Sequence, residues 1–158
     1  MRSIFLLAVF GVCSCSPMFG DEPVPGKQVE QVLKVGDGAI SYLFYLTGLG
    51  MGGYGSWRLA ADHPGRFATV VPICGGGDPK DADKLKELVI WAWHGAADPT
   101  VPVQKSIGIV QAIEKAGSST IRLTTLEGVG HVSWQAAYAS PDLYEWLDHQ
   151  FASKNRGR

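Results

Sequence analysis

Two kinds of apolar pattern alternate along this chain. Phe67 to Ile73 and Leu88 to Trp93 are continuous apolar runs, the mark of strands buried on both faces. Between and after them the apolar residues fall at helical spacing. Gly53 to His63 carries Trp57, Leu59 and Ala60 on one side and is stopped by His63-Pro64-Gly65. Val103, Ile107, Val110 and Ile113 line one face of a second helix, closed by Gly117. Pro141 to Phe151 reads as a last helix with Leu143, Trp146 and Leu147 inward and Phe151 a further candidate. Ile40 to Leu46, after the turn Gly36-Asp37-Gly38, is rich in β-branched and aromatic residues, and Ile121 to Leu126 is a further strand. Strands alternating with helices predict an α/β fold, a mostly parallel sheet with helices on both faces. The expected sheet has four strands, at about 40–46, 67–73, 88–93 and 121–126, with 40–46 as an edge whose ladder groups are exposed.

Ligands on such sheets bind at the carboxyl ends of the strands. The glycine-rich and polar residues collect there, at 47–53, 74–79, 94–100 and 127–134. The first group holds Gly48-Leu49-Gly50-Met51-Gly52 between strand and helix. A G-x-S-x-G turn in that context presents a nucleophilic serine on strained backbone, flanked by small residues. Here both outer glycines stand and Gly50 occupies the centre, so the turn survives while the hydroxyl is lost. A phosphate loop is the competing reading, but no Gly-Lys-Ser/Thr follows. Asp98, in IWAWHGAADPTVP, and His131, in LEGVGHVSW, each fall in a loop after a later strand. That is the chain order nucleophile, acid, base. The acid would fix the imidazole tautomer and stabilise its cation. Singly, a loop-capping aspartate and a loop histidine are ordinary. Their force lies in the combination.

The run YLTGLGMGGYGSWRLAADHPGRFATVVPICGGGDP, followed by IWAWHGAADPTVPV and GVGHVSWQAAY, resembles the α/β-hydrolase superfamily. It looks most like secreted esterases related to polyhydroxybutyrate depolymerases, feruloyl esterases and dienelactone hydrolases, and more loosely like prolyl oligopeptidase catalytic domains. The resemblance spans about residues 40 to 151. It implies Asp98 as acid, His131 as base, Gly50 as the vacated nucleophile position and the Met51 N–H as one oxyanion donor. It implies a small-molecule or polymeric ester as the ancestral substrate, with no cofactor. The family has several strands before the elbow, and a loop with a His-Gly motif that supplies the second oxyanion N–H. Here GAISYLFYL resembles the family's opening strand yet runs straight into LTGLG. A partial fold with its N-terminal strands missing is therefore expected, as if by internal deletion. The one His-Gly pair, His94-Gly95, sits in the acid loop and cannot fill the oxyanion role.

The remaining features change the picture less. Arg2 precedes an apolar stretch, Ile4 to Val12, too short to span a bilayer, and a polar segment follows. Residues 1–20 thus read as a signal peptide, 21–39 as a linker and 40–158 as a truncated hydrolase domain, exported to the periplasm or medium. Cys13 and Cys15 sit by the signal, and their match to a lipoprotein processing site is poor. Fourteen basic and fifteen acidic residues leave a net charge of −1, so nothing favours nucleic acid or an anionic membrane. No integral membrane span is expected in the mature chain. His63, His94, His131 and His149 are scattered without metal-ligand spacing, so no metal is expected. Cys74 reads as a buried small hydrophobe, and Ser56, Ser106 and Ser133 lack an elbow to activate them. Two functional expectations follow: an exported carboxylic-ester hydrolase impaired at its nucleophile, or a non-catalytic remnant or binding module that keeps the pocket. The exposed edge adds an expectation of self-association.

Overall fold

The computed structural model describes residues 6–8, 31–35 and 38–155, with side chains over 43–150. Its centre is a parallel sheet in the order β1-β4-β5-β6-β7. Four of its strands alternate with helices. These are β4 (Tyr45–Leu49), β5 (Thr69–Ile73), β6 (Ile90–Gly95) and β7 (Ile121–Leu126). A short strand, β1 (Leu6–Ala8), lies beside β4 in register with Tyr45–Thr47. The connecting helices are α1 (Met51–Asp62), the single turn α2 (Ala82–Leu85) and α3 (Gln104–Lys115), with α4 (Trp134–Ala139) and α5 (Pro141–Asn155) after β7.

The continuous apolar runs become the two central strands, and every residue of β5 and β6 is buried. Each face of the sheet carries its own core. On one face Leu46, Val70, Ile90 and Ala92 pack with Trp57, Leu85, Ile109 and Ile113 of α1, α2 and α3. On the other, Tyr45, Val71, Ile73, Trp91 and Trp93 pack with Ala137, Leu143 and Leu147 of α4 and α5. Alternate strand residues thus serve opposite layers, as the two-residue side-chain period requires. β7 is half-exposed because it is the far edge.

The start of the sheet differs from expectation. The strand foreseen at 40–46 divides in two. Gly38–Tyr42 (β3) pairs antiparallel with Gln31–Val35 (β2) in a separate two-stranded sheet, and only Tyr45–Leu49 enters the main one. Gly36-Asp37 between two β-prone runs is a hairpin signal, and the local partner 31–35 outcompetes the distant sheet for 38–42. Residues 31–35 are accordingly strand where a linker was expected. The outer side of β4 is not bare either, since β1 pairs along three of its five residues. Leu6–Ala8 falls inside the segment read as a leader; the rest of that segment, with Cys13 and Cys15, and positions 21–30 of the linker lie outside the described residues.

Candidate active site

The carboxyl ends of β4, β6 and β7 bring Gly50, Asp98 and His131 together. Leu49 ends β4 and Met51 begins α1, so the whole turn is made by Gly50, at φ 54° and ψ −118°. An L-residue there is strained, which is the condition a nucleophile elbow imposes. Gly48 is fixed by a different constraint, because a Cβ on it would collide with the carbonyl oxygen of Gly52. Gly50 caps α1 without a side-chain hydrogen bond. Its own N–H is shared between the carbonyl of Ile73 at 3.1 Å and the Cys74 thiol at 3.2 Å. Met51, as the first helical residue, has an N–H with no intrahelical acceptor, and its side chain is 92% exposed.

Asp98 is buried and its carboxylate is saturated. Oδ1 accepts the backbone N–H groups of Thr100 and Val101 at 2.8 and 2.9 Å. Oδ2 lies 2.7 Å from Nδ1 of His131. Burial works against its ionisation, but the Val101 and Thr100 N–H groups and the imidazole outweigh that and hold the carboxyl below its ordinary range. With Asp98 ionised, His131 Nδ1 must be the donor, so Nε2 is free to act as a base. The two loops meet because Gly95 has no side chain: a Cβ there would strike the carbonyl oxygens of Val129 and Gly130. Trp134 packs edge-on against the His131 ring, with centroids 5.7 Å apart.

The position a Cβ would take on Gly50 is 3.2 Å from His131 Nε2. A serine donating to that nitrogen at about 2.8 Å would hold its Cβ about 3.5 Å away. The imidazole therefore sits a few tenths of an ångström too close to admit a serine without retreating.

The other candidates fall elsewhere. Ser56 is buried in α1 and its hydroxyl donates back to the carbonyl of Gly52. Cys74 is buried at the end of β5 with φ 40°, and burial pushes its thiol pKa up despite the N–H of Gly50. The buried Ser133 hydroxyl lies near that thiol and helps the thiolate form, but makes no hydrogen bond of ordinary geometry. Sequence reasoning missed His94 and Ser106. The His94 ring is fully buried, with Nδ1 2.8 Å from Ser106 Oγ and Nε2 3.3 Å from Asp98 Oδ2. The signal was present in the four-residue spacing from His94 at the strand end to Asp98. Among the described residues no group of three His, Cys, Asp or Glu side chains could hold a metal ion, and no helix is long and apolar enough to cross a membrane.

The parallel sheet and its helices are also found in solved structures. A thermostable esterase superposes with a TM-score of 0.65, at 37% identity, over 67% of this chain and 30% of its own. The chain has an α/β-hydrolase fold. At lower identity the same fold appears in esterase PE8, with a TM-score of 0.52 at 18% identity over 70% of this chain and 49% of its own. It appears again in a proposed dienelactone hydrolase of Klebsiella pneumoniae subsp. pneumoniae MGH 78578, with a TM-score of 0.53 at 21% identity over 69% of this chain and 51% of its own. The chain thus spans under a third of the thermostable esterase and about half of the other two. No protein-family model matches it, and no curated protein sequence does.

Proposed function

We propose that this chain is an exported α/β-hydrolase of the carboxylic-ester type, with its nucleophile position vacated at Gly50, so that acyl transfer is impaired or absent. One observation carries the reading: the Cβ direction of Gly50 aims at His131 Nε2, while Nδ1 of the same ring is held by Asp98. A hydroxyl at Gly50 would lose its proton to Nε2, and the Met51 N–H would face the oxyanion formed. Without that hydroxyl the Asp98–His131 pair can act only on water, orders of magnitude below a normal hydrolase. The esterase likeness supports an ester, small or polymeric, as the substrate class.

The experiment compares p-nitrophenyl acetate hydrolysis and fluorophosphonate labelling in the wild type, Gly50→Ser and Gly50→Ser/His131→Ala. Expected is no labelling of the wild type and labelling with weak turnover in Gly50→Ser. The serine must push His131 back, and a missing second oxyanion donor costs about a hundred- to a thousand-fold. Strong wild-type turnover overturns the reading. Labelling that survives in the double variant removes His131 as base. If Gly50→Ser neither labels nor turns over, the chain is a non-catalytic remnant or binding module.

Export rests on Arg2 and the apolar stretch after it. A cleaved leader would take β1 with it and leave the outer side of β4 open to a second copy, so self-association of the exported form is part of the proposal. N-terminal sequencing and sedimentation of the product test both; an uncleaved cytoplasmic monomer overturns them.

A further inference from the structure

His94 is a fully buried titratable side chain that the proposed reaction leaves unused. It is the penultimate residue of β6, four residues before Asp98, and both of its ring nitrogens are engaged. Nε2 lies 2.9 Å from the carbonyl oxygen of Val101 and 3.3 Å from Oδ2 of Asp98. Both partners are acceptors, so Nε2 carries a proton; it donates to the Val101 carbonyl and stands within ion-pair range of Oδ2. Nδ1 faces Ser106 Oγ at 2.8 Å, and that same oxygen is 2.8 Å from the carbonyl of Gly75. The one hydroxyl proton can go to the Gly75 carbonyl or to Nδ1, and Ser106 Oγ bridges the two. Gly75 packs so tightly on α1 that a Cβ on it would collide with the backbone of Gly53 and Tyr54.

The contacts form one continuous line. It runs from His131 through Asp98 to His94, then through Ser106 of α3 to Gly75 and on to the first turn of α1, where Gly50 is the cap. It joins the acid–base pair to the elbow through the interior. Residues far apart in sequence are thereby held to one geometry, which a bimolecular or acid–base step demands of its groups.

We propose that His94 is a positioning residue of this site: its Nε2 edge, held on the Val101 carbonyl, backs Oδ2 of Asp98 at 3.3 Å, and its Nδ1 ties that contact through Ser106 to the backbone beneath the elbow. Oδ2 would otherwise be anchored by His131 alone, and the carboxylate could swing about its two Oδ1 bonds. With His94 in place, the direction in which Asp98 accepts from His131, and so the aim of Nε2 at residue 50, is set from behind. A merely structural histidine would fill the same space without controlling the Asp98–His131 bond. The inference rests on reading Asp98 and His131 as the acid–base pair, but its test needs no turnover, so its failure is separate from a failure of Gly50→Ser to react.

The test is imidazole NMR on the full chain labelled with ¹⁵N-histidine. In the wild type, His94 is expected as the Nε2–H tautomer and His131 as Nδ1–H with a low-field proton resonance from its bond to Asp98. His94→Leu is expected to remove that low-field resonance, and His94→Gln, whose amide can still donate to Oδ2, to restore it. Ser106→Ala, which leaves His94 in place, is expected to move the His94 Nδ1 signal and broaden the low-field proton. An Nδ1–H tautomer of His94 in the wild type overturns the proposal, and that measurement needs no variant to fold. A folded His94→Leu protein with the low-field resonance unchanged overturns it as well. An unchanged spectrum in Ser106→Ala removes the link to Gly75.

Discussion

The two halves of this site are built to different standards. On the acid–base side every polar atom of Asp98 is engaged, by Thr100, Val101, His131 and His94. On the elbow side the strained backbone at Gly50 remains, yet nothing projects from it, and α1 begins without a side-chain cap. Buried polar groups are costly when unpaired, so the acid–base half supports the fold whether or not it does chemistry. The elbow glycine carries no such duty. Its strain is tolerated because glycine incurs little of it. Glycine at position 50 is therefore compatible with the fold, whereas loss of the Asp98 carboxylate would not be.

The largest break in that comparison should come from Asp98→Ala. It takes the acceptor from the Thr100 and Val101 N–H groups and from His131 Nδ1, and is expected to cost about 3 kcal/mol of stability, read from the urea midpoint at constant slope. Gly95→Ala should follow, at about 1–3 kcal/mol, because the new methyl group must push away the Val129 and Gly130 carbonyls. It should also weaken the His131–Asp98 bond, which makes the low-field imidazole proton a second measure. Gly50→Ala is expected to cost about 1–2 kcal/mol from its positive φ, with His131 displaced. If Gly50→Ala proves costlier than Asp98→Ala, the contrast between the halves is wrong.

Acid sharpens the same contrast. The carboxyl of Asp98 is depressed in the folded state, so the stability it contributes is present above its unfolded pKa of about 4 and lost as pH falls through the folded value. Urea midpoints measured from neutral pH downward should fall more steeply in the wild type than in Asp98→Asn. The smallest effect belongs to Met51→Ala. A side chain 92% exposed at the site mouth should move stability by no more than about 0.5 kcal/mol.

Much of this was legible in the chain before folding is considered. Continuous apolar runs at 67–73 and 88–93, helical spacing around Trp57 and Ile113, and glycines bracketing residue 50 are local signals, each complete within a dozen residues. They determine the alternation of strands and helices, the fold class, and the loops that carry Gly50, Asp98 and His131. Pairing choices and side-chain contacts lie beyond such signals, because they compare partners far apart in sequence. Only the tertiary structure decided where the strand-like run 38–49 divides, with 45–49 joining 69–73 in the main sheet and 38–42 left outside it. Only it decided that Oδ2 of Asp98 meets two histidines, one of them 33 residues away, and that Ser106 reaches Gly75 across 31 residues. It also decided how far His131 stands from Gly50, a distance fixed by two loops packed through the missing side chain of Gly95. Periodicity records which face of an element is apolar; it holds no record of which distant atom will fill the space opposite.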